Sequence, residues 1–296
     1  MIQGIDVSKY QGNILWKDVK AAGIQFAMIR TTLRRTDGIL ATDTTALANI
    51  TGAQAAGVPA GAYHYTRAKN QAEAMEEAKY LLSVIRPYRL EYPVALDIED
   101  NALINLGKET LTNIAAAFLK TVQDAGYYVM LYSNKYWLTS ILDVSKLSQY
   151  DVWLAQYNSV VTYDGPYGMW QYTSGGRVQG ISTDVDMDYA YQDYAQIIKS
   201  AGLNGFPKPI EPQEPNVPEE PEWPGTPEEP NVPEEPNVPE EPNVPEEPNT
   251  PEEPTEPEDP NLPDQPTPEA NWLSRIWQAV KNGFKKIYRW LKGLLK

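Results

Sequence analysis

The sequence predicts an α/β fold, an irregular eight-stranded (β/α)5β3 barrel over residues 1–203, and three observations lead there. Apolar strand-like runs alternate with helical periodicity five times in succession, three further strand-like runs follow without long helices, and a last helix closes the segment at Gly202. Five and three make eight, the number at which a closed sheet can be filled by its own side chains. Beyond it the material changes: residues 204–269 read as a disordered Pro/Glu-rich linker and 270–296 as a cationic amphipathic helix.

Taken in order, residues 2–8 read as the first strand, 16–22 as a short helix stopped by Gly23, and 25–32 as the second strand. Residues 42–56 are helical up to Gly57, and 58–66 (VPAGAYHYT) form the third strand. A helix over 71–85 ends before Pro87, and 93–100 (PVALDIED) is the fourth strand. The helix 109–125, stopped by Gly126, leads into the strand 127–133 and a short helical patch over 136–142. The runs 151–157, 168–174 and 184–189 supply the last three strands, and 191–200 the closing helix.

PVALDIED carries the clearest chemistry. Side chains two apart on a strand share a face, so Asp97 and Glu99 should emerge together at the C-terminal strand end, where barrel active sites lie. Neighbouring carboxyls repel, and burial raises the pKa of one of them; a protonated acid beside an ionised one is what glycoside hydrolysis requires. The same acids would also suit a helix cap or a cation site. Asp6 ends the first strand, and Asp184, Asp186 and Asp188 occupy the last. Closure makes those strands neighbours, so Asp6 and a last-strand acid should face Asp97 and Glu99 across the mouth. Tyr63, Tyr132, Trp153, Tyr157, Trp170 and Tyr172, with the amides Gln156 and Gln171, form a set suited to sugar rings, which have apolar faces and polar edges. His64 is the only histidine, so no zinc site can be built from several, and alternation turns it away from Tyr63 and Tyr65.

In their order and spacing GIDVSKYQG (4–12), GAYHY (61–65), ALDIED (95–100), LYSN (131–134), WLAQY (153–157), WQYTSGGRVQGI (170–181) and VDMDYA (185–190) resemble the glycoside hydrolase family 25 lysozymes. The resemblance covers residues 1–203. It implies a TIM-like barrel that cleaves the β-1,4 bond from N-acetylmuramic acid to N-acetylglucosamine in bacterial peptidoglycan, with retention and without a cofactor. It implies Glu99 as general acid and Asp97 as the group acting at the anomeric carbon, directly or by orienting the substrate's 2-acetamido group. Asp6 and Asp186 would hold charge and hydrogen bonds around them, with Asp184 as the alternative last-strand acid. Tyr63, Tyr132, Trp153, Gln156 and Trp170 would bind substrate. A non-catalytic saccharide-binding barrel carrying a membrane-active peptide is the rival reading.

The charge of −15 is unevenly placed: residues 208–269 carry −19, 271–296 carry +7, and 1–207 only −3. The acidity therefore belongs to the linker and says nothing of the barrel's substrate, and no nucleic-acid partner is expected. With no cysteine, neither disulfides nor thiolate metal sites are available. The start MIQGIDVSKYQG lacks a basic segment before an apolar run, so the expectation is cytoplasmic synthesis without a signal peptide, action at the bacterial wall after release, and a monomer. The hexapeptide PNVPEE repeats over 230–253, favouring an extended, self-repelling spacer. In 270–296 apolar residues fall on one helical face, with Arg275, Lys281, Lys285, Arg289 and Lys292 on the other, a pattern for an anionic membrane or cell envelope.

Overall fold

The computed structural model describes residues 1–208; the linker from 209 onward and the 270–296 segment, with the structures expected for them, lie outside the described residues. Nine strands form one sheet: β1 (Ile2–Val7), β2 (Phe26–Arg34), β3 (Leu40–Thr42), β4 (Ala60–Tyr65), β5 (Val94–Asp97), β6 (Val129–Asn134), β7 (Asp151–Ala155), β8 (Met169–Gly176) and β9 (Val185–Ala190). All but β3 close into an eight-stranded barrel, since β1 pairs with both β2 and β9. Pairings are parallel from β1 round to β8, while β9 runs antiparallel to both its neighbours.

The helices α1 (Trp16–Ala21), α2 (Ala46–Ala55), α3 (Gln71–Ile85) and α4 (Lys108–Asp124) occupy the first four crossovers. A single π-helical turn, Trp137–Ile141, takes the place of a full helix after β6, and α5 (Tyr194–Ala201) follows β9. Strand alternation divides the core in two. On β2, Phe26 and Met28 point into the barrel with Tyr63, Ala95, Met130, Trp153 and Met169, whereas Ala27 and Ile29 join the larger layer beneath the helices. Each large side chain buried in this way contributes about 1.5–3 kcal/mol. Barrel closure also demands a small residue on β1: a Cβ on Gly4 would lie 2.3 Å from the Phe26 ring.

Three boundaries differ from the expectation. Residues 40–42, expected to lead into a helix, form β3, which folds back on β2 through a turn closed by Gly38 N–H donating to Arg35 O, with Gly38 at φ 83°. Helix α2 therefore starts at Ala46 rather than at residue 42. The barrel also runs past 203. Asn204 is buried; its Oδ1 accepts from Tyr128 N–H at 2.7 Å, and its Nδ2 donates to Leu90 O and Tyr92 O.

Candidate active site

At the mouth, β1 contributes Asp6, held directly opposite Asp186 by the β1–β9 register. Because β9 is antiparallel, its beginning rather than its end reaches the mouth. That direction sorts the three last-strand acids. Asp186 faces the cleft, Asp188 lies one step deeper opposite Gly4, and Asp184 sits outside, paired with Arg177 at 2.7 Å in an exposed ion pair.

Strand β5 ends at Asp97, so the expectation that Asp97 and Glu99 share a strand face is corrected: Glu99 reaches the cleft from the loop beyond it. The loop is nonetheless fixed. Ile98 is fully buried, its N–H donates to Tyr132 O at 3.2 Å, and its carbonyl accepts from Ser133 Oγ at 2.5 Å. Asp100 then caps the next turn and accepts from Arg67 Nε at 2.6 Å. Glu99 is thus pinned from both sides while its own carboxyl stays partly open to solvent.

A cavity of about 180 Å³ brings together Asp6, Asp97, Glu99, Asp186, Tyr63, Tyr132 and Trp153, all named from the sequence. Gln156 and Trp170 are not among its lining residues. Trp170 packs outside the barrel against Tyr172 and Tyr189 and donates its indole N–H to Gln156 O, while the Gln156 amide bonds Thr162. Alternation explains the difference, since Met169 and Gln171 take the inner face of β8 and leave Trp170 on the outer one. Of the expected aromatics, Tyr132 and Trp153 are almost wholly buried and pack edge to face at 4.5 Å, so they shape the wall. The aromatic surface open at the rim belongs to Tyr10, Tyr136 and Tyr157, which are 68%, 56% and 54% exposed.

Arg30, absent from the sequence-level candidates, is the guanidinium of this cleft. It follows Phe26 and Met28 at a spacing of two, which places it on the inner face; it pairs with buried Asp43 at 2.7 Å. His64 turns the other way, as alternation requires, and is fully buried between Thr32 and Glu77.

Hydrogen bonds tie the acids into a frame. Gln171 Nε2 donates to Asp6 Oδ2 at 2.6 Å, while its Oε1 accepts from Tyr132 OH and Tyr157 OH. Trp153 Nε1 donates to Asp188 Oδ1 at 2.8 Å. One oxygen of Asp97, Oδ1, is buried with no hydrogen-bond partner among the described residues. Such an arrangement retains protons. Burial pushes Asp6 well above the ordinary carboxylate range, and Asp188 and Asp186 push it further. Burial and then Glu99 raise Asp97, opposed by Arg30 and Arg67. Burial lifts Asp186 to about 6 and raises Glu99, against a hydrogen bond from Asn134 Nδ2 at 3.4 Å. Glu99 also borders a second cavity of about 350 Å³ with Asn134, Lys135, Tyr136 and Tyr157, so it stands between a narrow acidic chamber and a wider aromatic one.

Known proteins are similar in architecture and sequence. The sequence profile described as "Glycosyl hydrolases family 25" matches residues 5–181, more than half of the chain. Lysozyme M1 of Streptomyces globisporus is 32% identical over 62% of this chain and 66% of its own length. The autolytic lysozyme of Clostridium acetobutylicum is 28% identical over 63% of this chain and 55% of its own. The chain thus spans less than two thirds of these two curated relatives. The crystal structure of the bacterial lysozyme from Streptomyces coelicolor superposes with a TM-score of 0.58 at 28% identity, covering 69% of this chain and 97% of that one.

Proposed function

Since this chain belongs to glycosyl hydrolase family 25, we propose that it hydrolyses the β-1,4 bond between N-acetylmuramic acid and N-acetylglucosamine in bacterial peptidoglycan. The position of Glu99 between the two cavities carries this reading. A glycan strand laid across Glu99 puts one sugar among Asp6, Asp97 and Asp186, the next beside Tyr136 and Tyr157, and the bond between them at Glu99, a cleft acid partly open to solvent that borders both cavities. Burial raises the Glu99 carboxyl and so favours its protonated form, and Glu99 donates its proton to the glycosidic oxygen as the C1–O bond breaks.

Asp97 acts at the anomeric carbon, directly or through the 2-acetamido group. Its ionised form is disfavoured in the empty cleft, and the positive charge developing at C1 reverses that. The interaction is therefore strongest in the transition state, as catalysis requires. Water then attacks C1 and returns its proton to Glu99. Asp6, fixed by Gln171, and Asp186 hold the charge balance of the chamber. Digestion of purified walls by the full chain should release new reducing ends that are N-acetylmuramic acid. N-acetylglucosamine reducing ends, or free amino groups without reducing ends, would overturn the assignment. The rival reading of a non-catalytic saccharide-binding barrel expects wall binding with no new ends at all.

The proposal extends to the remaining segments and the site of action. The chain works as a monomer at the cell wall after release from the cytoplasm, and residues 270–296 engage anionic membrane through their apolar face and seven cations. Support comes from sequence alone: three tryptophans and paired cationic and apolar periodicities. A 270–296 peptide that failed to bind anionic vesicles at low salt would remove it.

A further inference from the structure

A cavity of about 700 Å³ adjoins the catalytic chamber. It opens where the β2–β3 turn, the start of α3 and the loop after β5 meet, and the two cavities share a wall. Tyr65 lines the chamber, Arg67 lines the larger cavity with its guanidinium carbon 4.7 Å from the Tyr65 ring centre, and Asp100, which follows Glu99, holds Arg67 Nε. A substituent on a sugar bound in the chamber has a short path over this wall.

The charges lining this cavity are unequally committed. Its acids are occupied: Asp100 accepts from Arg67 and Ala102 N–H, Glu73 accepts from Lys69 N–H and Asn70 Nδ2, and Asp37 holds Arg35 and Ile39 N–H. Arg34 is buried and spends its donors on Glu76, Glu77, Gly38 O and Glu73 O. By contrast, Lys69 Nζ and Arg67 Nη2 have no hydrogen-bond partner among the described residues. Arg35 has only an exposed pair with Asp37, of the kind that holds little energy. The charge left free to meet a ligand is positive, and the volume falls in the range of pockets that take small organic ligands.

We infer that this cavity is a binding site for the carboxylates of the peptide stem that peptidoglycan carries on its muramic acid, with Lys69 as the principal anion contact and Arg35 and Arg67 beside it. The inference rests on the wall-hydrolase reading above, because only that substrate places a carboxylate-bearing peptide next to the sugar in the chamber. It makes the enzyme selective: glycan with its peptides attached binds better than bare glycan, through contacts some distance from the bond that breaks. The phosphates of other wall polymers would meet the same cations, and the assay below removes them.

Lys69 is exposed and makes no side-chain contact that folding needs, so its substitution isolates the site. The full-length protein and its K69Q, K69E and K69R variants are assayed on walls freed of phosphate-containing polymers, before and after an amidase has removed the peptides. On peptide-bearing glycan, K69Q should raise KM about threefold and K69E about tenfold with kcat unchanged, and K69R should behave as the parent, the range expected of one or two charge-assisted contacts. On bare glycan all four should have the same KM. Equal KM values on peptide-bearing glycan, or shifts of equal size on bare glycan, would overturn the inference, as would an effect seen only while the phosphate polymers remain attached. Hydrolysis of bare glycan by the parent enzyme tests the underlying activity separately, so the two readings fail in different columns of the experiment.

Discussion

Substitution of Glu77 should expose how the rim of the site is held. Its carboxylate is fully buried under α3, where it accepts from Arg34 Nε at 2.7 Å, Thr66 Oγ1 at 2.5 Å and Arg67 N–H at 3.3 Å, and it lies 3.2 Å from His64 Nε2. Glu77→Ala leaves a buried guanidinium and several donors without an acceptor, a change that costs about 3–5 kcal/mol. For a domain of this size that corresponds to a Tm lower by about 6–20 °C. Burial works against the ionised form of Glu77, but hydrogen bonds from His64, Thr66 and Arg34 outweigh it and set the carboxyl below its ordinary 4.5. A depressed folded pKa stabilises the protein above the unfolded value and ceases to do so as pH falls through the folded one. Glu77→Gln should therefore lower the unfolding midpoint at pH 7, and the gap to the parent should close in acid below pH 4.5. Thermal unfolding of the full chain from pH 3 to 7 reads both effects. A Glu77→Ala midpoint within 2 °C of the parent at neutral pH, or a Glu77→Gln gap that widens in acid, would refute the reasoning.

Asn134→Ala removes the hydrogen bond that favours ionised Glu99, so the alkaline limb of the pH–rate profile for wall hydrolysis should move to higher pH; a shift to lower pH would contradict the acid role. Asp186→Asn should lower kcat at least about tenfold, the loss expected when a charged hydrogen-bonding group leaves a transition-state site, whereas exposed Asp184→Asn should stay within about twofold. A turbidity assay on walls ranks them, and the reverse order would show that the wrong last-strand acid faces the substrate. A 270–296 peptide should bind anionic vesicles more tightly than the same peptide preceded by residues 208–269, whose −19 competes for its cations, with the difference shrinking as salt screens both. Equal affinities at low salt would make the acidic repeats a spacer only.

Much of this architecture was legible because local and global signals agree. Gly23, Gly57, Gly126 and Gly202 all stand at positive φ beyond helix ends, so helix termination could be read residue by residue. The strand-end acids were legible too, because an acid closing an apolar run has few structural uses. What escaped were features that depend on direction and closure. The antiparallel course of β9, set by pairing with β1 and β8, decides among Asp184, Asp186 and Asp188, and no local signal gives a strand's direction. Strand β3 is only three residues long and was absorbed into the helical pattern that follows it. Trp170 and Gln156 suit a sugar by their chemistry, but alternation along β8 turns Trp170 outward, and the same alternation along FAMIRTT places Arg30 on the inner face.

On the proposed mechanism Glu99 is the proton donor at the bond that breaks. Its most direct test is the rate of reducing-end release from purified walls by Glu99→Gln beside the parent, with the unfolding midpoint of both measured. The amide keeps the shape and cannot protonate a leaving oxygen, so release should fall by about 100-fold or more, the range of general-acid catalysis, while the midpoint at pH 7 stays equal or rises because a buried acid of raised pKa has gone. Release within about threefold of the parent by a folded Glu99→Gln protein would contradict the claim.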